Sequence, residues 1–190
     1  MIPEPRIIQD FGARPWEIAA YLKSGGYETW KVCATKWSRE EVIAQIKQAG
    51  LRGRGGAGFP TGVKWEKVLN HRIPERYFVC NAGEHEPGTF KDRYLLKTNP
   101  HLLLEGALIA AHTVKAKAAF IYVNSEYVEE IANLRKAAEQ ARAHGFMGRN
   151  VLGTGMDLDI EFVGGEGSYV AGEETAMLES MQGRPAMPRQ

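Results

Sequence analysis

Between Gly50 and Trp65 the chain reads Gly-Leu-Arg-Gly-Arg-Gly-Gly-Ala-Gly-Phe-Pro-Thr-Gly-Val-Lys-Trp, a glycine run bracketed by Arg52, Arg54 and Lys64. Glycine has no Cβ, so main-chain N–H groups in such a run can approach an oxyanion closely and the backbone can take positive φ. The basic side chains add charge, and Thr61 to Trp65 read as the opening of a helix, whose N-terminus also favours an anion. A structural turn would explain two of these glycines but not the cations around them. The expectation is a loop over 53–58 that contacts a phosphate or pyrophosphate. The segment matches G-x-G-x-x-G, yet the dinucleotide fingerprint needs a strand before the glycines, and here a capped helix precedes them.

Two further polar, turn-rich segments carry chemistry-bearing residues. In Asn81-Ala82-Gly83-Glu84-His85-Glu86-Pro87-Gly88-Thr89 the carboxylates can accept hydrogen bonds from sugar hydroxyls. An isolated Glu-His-Glu is by default a solvated turn, and no metal-ligand spacing surrounds His85, which offers only a proton carrier. In Gly164 to Thr175, Glu173 and Glu174 stand at a predicted helix N-terminus, where the helix dipole favours acids without any function. Tyr169 and Gly172 precede them at a strand end, which would give a planar ring with polar edges a stacking surface and acceptors. Phe59, at the tip of the glycine loop, reads either as a buried staple or as a base-stacking platform.

The elements that must position these residues follow from periodicity. An extended segment to about residue 14 leads into helical spacing over Pro15 to Lys23, stopped by Gly25-Gly26. Ser38-Arg39-Glu40-Glu41 is a capping box, with Val42, Ile43 and Ile46 on one face and Gly50 at the end. From Tyr77 the rhythm becomes strand, connection, helix. Tyr77–Cys80 reads as a short buried strand, Asn99-Pro100 caps an apolar helix through Val114, and Ala118–Val123 is a second strand. Ser125 starts a helix ending near Gly145, Asp157–Val163 alternates as a third strand, and Glu173 to Met181 forms a short helix closed by Gly183. The apolar stripe of 102–114 and the alanine-rich face of 126–143 are core. This alternation predicts an α/β fold, three layers with a mostly parallel sheet and crossover helices, behind a small helical N-terminal segment. The expected division is 1–50 and 51–190, with ligands at the carboxyl ends of the strands.

Composition narrows the function classes. Among 190 residues, 24 Lys+Arg against 23 Asp+Glu leave a formal charge of +1, which gives no support to a bulk nucleic-acid or membrane-surface role. Any anion site must therefore be local. Only Cys33 and Cys80 are present, without a CxxC pair, so neither a disulfide framework nor a complete iron–sulfur or zinc site can be built from them. The run Leu102 to Val114 is too short to span a bilayer and the N-terminus lacks signal-peptide character, so a soluble, cytoplasmic chain is expected.

Taken together, the motifs at 50–65, at 81–93 (Asn-Ala-Gly-Glu-His-Glu-Pro-Gly-Thr-Phe-Lys-Asp-Arg) and at 169–176 (Tyr-Val-Ala-Gly-Glu-Glu-Thr-Ala) resemble one family in order and spacing. It is the flavin-bearing NADH-oxidising subunit of respiratory complex I and its relatives in NAD-dependent formate dehydrogenases and hydrogenases. The resemblance covers the chain from about Arg6 and implies a Rossmann-like FMN-binding domain. It further implies FMN phosphate contacts from Gly53, Arg54, Gly55 and Gly56, with Lys64 near the isoalloxazine ring. Asn81 and Glu84 would meet the flavin, Glu86 and Phe59 would contact NADH, and Tyr169, Gly172, Glu173 and Glu174 would line the far wall.

The implied reaction is hydride transfer from NADH to FMN without a protein nucleophile, feeding iron–sulfur subunits of a multi-subunit complex, peripheral to a membrane through those partners. The family continues into a ubiquitin-like domain and a helical domain whose cysteines bind a [4Fe–4S] cluster. That cluster is expected outside residues 1–190, in a longer subunit or in a partner. Two departures stand out. Gly83-Glu84-His85 replaces the Asp-Glu-Gly common in the family, removing an acid at 83, and Lys67 stands where an aromatic of the adenine-stacking platform is often found. The alternative is a shortened, non-catalytic paralogue serving assembly without flavin; a Rossmann dehydrogenase using NAD directly is disfavoured by the helix before the glycines.

Overall fold

Three parallel strands organise the described residues: β1 (Tyr77–Ala82), β2 (Ala118–Asn124) and β3 (Ile160–Gly165), in the order β1-β2-β3. Register runs from Tyr77 opposite Ala118 to Ala82 opposite Val123, and from Ala119 opposite Ile160 to Asn124 opposite Gly165, so all three carboxyl ends finish at one edge. The computed structural model describes residues 14–165 and 167–189. The extended segment expected before residue 14 lies outside them.

Eight α-helices surround the sheet in the described residues: α1 (Ile18–Lys23), α2 (Glu28–Thr35), α3 (Arg39–Gln48), α4 (Thr61–Asn70), α5 (Lys91–Thr98), α6 (Pro100–Thr113), α7 (Val128–Ala143) and α8 (Glu174–Met181). Three have the sequence-local caps that the pattern indicates. Ser38 and Glu41 exchange both bonds of the capping box at α3. Asn99 accepts from Leu102 N–H at 3.1 Å ahead of Pro100 at α6, and Glu173 caps α8.

Two helices that the sequence pattern does not announce are capped from afar. The start of α2 follows Tyr27, a non-glycine residue at φ 62°, and its Tyr27 and Trp30 N–H groups donate to the buried Glu105 carboxylate of α6 at 2.9 and 3.1 Å. The N-cap residue of α5, Phe90, supplies no side-chain bond, and Glu84 serves instead.

Boundaries shift where local signals mislead. Pro15 to Glu17 form a turn, so α1 begins three residues later than the spacing predicts, and α7 begins at Val128 rather than Ser125. Asp157 to Asp159 do not belong to β3: Leu158 pairs instead with Gly148 in an isolated antiparallel bridge. The strand read as buried, β1, is an edge strand with Tyr77 55% exposed, because only β2 has neighbours on both sides.

The two sheet faces bury different sets, as the two-residue period of a strand requires. Ile121 and Val123 of β2 pack into the main core with Leu104 and Leu108 of α6 and Leu134, Ala137 and Ala138 of α7. The same core takes in Tyr21, Tyr27, Trp30 and Val42 from the N-terminal helices. Tyr122 points to the opposite face and packs with Ala171 and Met177. Helices, sheet and the 169–181 segment are thus the three layers expected.

Candidate functional site

Beyond the carboxyl edge of the sheet lies a cavity of about 750 Å3. Arg54 and Gly55 of the glycine loop line it, with Asn81, Gly83, Glu84, His85, Glu86 and Thr89 after β1, Lys91 and Asp92 at the start of α5, and Tyr169, Val170, Gly172 and Glu173 after β3. Three segments far apart in sequence therefore meet at the place where a parallel sheet exposes its strand ends.

The glycine loop is a hairpin. Gly53 N–H donates to Phe59 O at 3.0 Å, Arg52 pairs with Pro60, and the Arg52 guanidinium binds Gly58 O at 3.1 Å. Only Gly58 within 53–58 sits at positive φ (63°), so conformational freedom is not the reason for Gly53, Gly55 or Gly56. At Gly55 and Gly56 an added Cβ would meet nothing within 4 Å. Neither backbone strain nor packing within the fold demands glycine there, and the space beside both is open. Arg52 is spent inside the hairpin, whereas Arg54 has no ion-pair partner among the described residues. The N-terminus of α4 is not part of the cavity: Gly62 is buried, and a Cβ there would strike Lys47 of α3 at 2.7 Å.

The acidic loop is largely committed to its own framework. The Glu84 side chain, 2% exposed, accepts from Asp92 N–H at 2.9 Å, Arg93 N–H at 3.4 Å and the Tyr127 hydroxyl at 3.2 Å, with Lys91 Nζ at 3.7 Å. Asn81 clamps the cavity floor, donating to Gly172 O and accepting from Gly83 N–H, both at 3.0 Å. A Cβ on Gly172 would stand 3.4 Å from Gly83 O, so the two backbones are nearly in contact. At the helix start, burial raises the Asp92 pKa, a shift that the Lys91 ammonium at 2.6 Å partly opposes.

Asn124 at the end of β2 fixes the protonation pattern of His85. Its Oδ1 accepts from Glu126 N–H and its Nδ2 donates to Glu84 O, both at 3.0 Å, so Nδ2 also donates to His85 Nδ1 at 3.2 Å. The proton of the neutral ring then sits on Nε2, which is buried without a partner.

On the far wall, the Glu86 carboxylate accepts from the Tyr169 hydroxyl, and that contact raises the phenol's pKa. Glu173 is an N-cap: its carboxylate accepts from Thr175 N–H and Ala176 N–H at 2.9 Å and from the Thr175 hydroxyl at 2.5 Å, which lowers its pKa.

Of the residues singled out in the sequence, Arg54, Gly55, Asn81, Glu84, Glu86, Tyr169, Gly172 and Glu173 line the cavity. Gly53, Gly56, Phe59, Lys64 and Glu174 do not; Lys64 Nζ instead lies 5.9 Å above the Phe59 ring. Thr89, Lys91, Asp92 and Val170 belong to the wall without having been singled out. For Thr89, Lys91 and Asp92 the signal was their place within the 81–93 motif.

Comparison with known proteins decides the family, because residues 46–190 match the model of the Nuo51 FMN-binding domain. The chain belongs to that family. It is 48% identical to an NADH-quinone oxidoreductase subunit of Aquifex aeolicus over 93% of this chain and 41% of that protein. With the mitochondrial NADH-ubiquinone oxidoreductase 51 kDa subunit of Neurospora crassa the identity is 41% over 98% of the chain and 38% of that protein. The fold superposes on an NAD+-reducing [NiFe]-hydrogenase in the H2-reduced state with a TM-score of 0.77 and 35% identity, covering 91% of this chain and 29% of that one. The chain thus spans about two fifths of the length of the curated relatives it matches. The residues present suit the family's FMN: glycines with open space where a Cβ would stand, and an Arg54 with no acidic partner among the described residues, fit an anion beside a cavity of nucleotide size.

Proposed function

We propose that this chain carries the FMN- and NADH-binding centre of an NADH:acceptor oxidoreductase that works within a larger iron–sulfur assembly. What carries this is one geometric fact: Arg54 and Gly55 face the same cavity as Glu86 and Tyr169. One side is built for an anion and the other for hydroxyls and a planar ring. The names of the relatives, an NADH-quinone oxidoreductase subunit and an NAD+-reducing hydrogenase, support the substrate half of the proposal.

When bound, FMN supplies the acceptor for a hydride delivered by the nicotinamide, and the protein contributes geometry rather than a nucleophile. The amides from Arg54 to Gly56 and the Arg54 guanidinium would hold its phosphate, whereas the Gly53 N–H expected to join them is taken by Phe59 O. Asn81 and Gly172, joined by the Asn81 amide on Gly172 O, would supply a floor for its ring system. Glu84 and Glu173 act as positioning residues, since their carboxylates hold the starts of α5 and α8 and so fix Lys91 and the Gly172 backbone. Lys64 and Glu174 stand outside the cavity wall, Lys64 over the Phe59 ring, so the contacts with the flavin expected of them are not supported by the cavity, while Glu86, inside it, would take the dinucleotide. Every wall residue falls after position 50, in keeping with 51–190 as the cofactor unit. Electrons leave to iron–sulfur centres carried by other parts of the assembly.

One observation favours a second reading, a structural subunit without flavin: Asn81, Glu84 and Glu173 satisfy their polar groups internally. The absorbance spectrum of the purified chain separates the two. Flavin bands that bleach on anaerobic addition of NADH are expected, whereas colourless protein that refuses added FMN would establish the structural role.

A further inference from the structure

Four carboxylates of the described residues line the cavity, and three of them are occupied by donors of the surrounding frame. Glu84 accepts from two amides and the Tyr127 hydroxyl, Glu173 from two amides and the Thr175 hydroxyl, and the exposed Glu86 from the Tyr169 hydroxyl. His85 presents Nδ1 to the Asn124 amide, so a proton added there would set N–H against N–H. Asp92 is different. Its side chain is 23% exposed, and among the described residues its carboxylate meets one donor, the Lys91 ammonium at 2.6 Å, which is itself half exposed on a flexible stem. The groups that face it are the Cys80 thiol of β1, Glu84 and the Tyr127 phenol ahead of α7, while its neighbour Arg93 is paired with the buried Glu130 at 2.9 Å. Burial pushes the Cys80 thiol up to about 12 and raises the Tyr127 phenol, so both stay protonated near neutrality. Burial also raises the Asp92 carboxyl above the ordinary aspartate range, with Lys91 opposing the shift and Glu84 reinforcing it.

We propose that Asp92 is the redox-linked proton acceptor of this site, taking a proton from solvent when the bound flavin receives the hydride of NADH and releasing it when the electrons leave. The proposal rests on the cavity being the FMN site. Hydride transfer breaks the nicotinamide C–H bond, leaves NAD+, and adds two electrons and one hydrogen nucleus to the flavin, which gains one negative charge. A solvent proton then forms an O–H bond on Asp92, so the summed charge of the cavity wall and the flavin is unchanged. When two electrons pass to an iron–sulfur acceptor, the hydrogen delivered as hydride and the proton on Asp92 both return to solvent. A like charge appearing in a partly desolvated cavity favours the neutral form of a nearby carboxyl. Asp92 can answer that charge without dismantling the wall, because its backbone N–H, not its carboxylate, is what Glu84 holds.

The test reads the flavin's potential and a carboxyl vibration, not turnover. The FMN-loaded chain is titrated potentiometrically from acid to neutral pH for the parent, Asp92→Asn and Asp92→Glu. A two-electron couple moves by about 30 mV per pH unit for each proton that accompanies it. Asp92→Asn is expected to lose one proton from the slope over the range in which the parent is steepest, and Asp92→Glu to restore it. Infrared difference spectra of the same samples should show a carboxylic acid C=O band that appears on reduction in the parent, is missing in Asp92→Asn and returns shifted in Asp92→Glu. Equal slopes in the parent and Asp92→Asn, or a band that survives Asp92→Asn, would overturn the proposal. So would a parent with no such band, a result that does not depend on any variant taking up FMN. Normal FMN uptake with any of these results removes the role of Asp92 alone, while a parent that takes up no FMN removes the cavity assignment and this proposal with it.

Discussion

The carboxylate of Glu84 accepts the backbone N–H of Asp92 at 2.9 Å, so an acid at the end of a strand caps the helix that forms the next wall of the site. With the Arg93 N–H and the Tyr127 hydroxyl on its other oxygen, Glu84 works as a buried joint. Removing a buried acceptor leaves its donors unsatisfied. Glu84→Ala is therefore expected to destabilise the protein by about 2 kcal/mol, with Glu84→Gln recovering part of the loss, as read from urea unfolding. Stability of Glu84→Ala equal to the parent would show that this joint does not hold α5.

Glycines at 56 and 62 make opposite predictions. A Cβ at Gly56 meets nothing, so Gly56→Ala and Gly55→Ala should keep stability within about 0.5 kcal/mol while weakening FMN tenfold or more, on the order of 1.4 kcal/mol. A Cβ at Gly62 would lie 2.7 Å from the Lys47 side chain and 3.0 Å from its backbone nitrogen, so Gly62→Ala should cost about 1–3 kcal/mol of stability. Flavin titration beside thermal unfolding distinguishes a ligand cradle from a packing contact, and unchanged FMN affinity at both 55 and 56 would remove the cradle.

Among the described residues the Glu86 carboxylate meets the exposed Tyr169 hydroxyl and no backbone donor, so it can still accept from a bound molecule. Glu86→Gln should raise KM for NADH several-fold, while FMN stays bound and the fold unchanged. Steady-state kinetics with NADH as the varied substrate checks this, and an unaltered KM would take Glu86 off the substrate path.

Acid should loosen α8 through Glu173. Its pKa is held below the usual carboxylate range by the Thr175 hydroxyl and by the Ala176 and Thr175 amides. The cap's contribution is therefore complete above the pKa of an unfolded glutamate and is lost as pH falls through the lower folded value. Glu173→Gln should lower Tm near neutrality and flatten the acid-side dependence of Tm. Parallel Tm profiles of parent and variant from neutrality to acid would contradict this role.

Local physics made much of this molecule readable from its residues. The capping box at Ser38 and Glu41, the Asn99-Pro100 start of α6 and the β-rich apolar run of β2 are settled by contacts between near neighbours. The cluster of glycines and cations at 50–65 is likewise a local pattern, and it folds as a hairpin closed by Gly53 N–H and Phe59 O. The starts of α2 and α5 were hidden because their caps arrive from Glu105 and Glu84, and such distant partners leave no mark in a local pattern. The same limit governed the site. Charge and motif spacing named Glu84, Glu173 and Asn81, but only the assembled fold decided that their polar atoms bind backbone groups while Arg54 and Glu86 stay open to the cavity. A hydrogen-bonding group's availability depends on what the tertiary structure brings to it, and a sequence states only that the group exists.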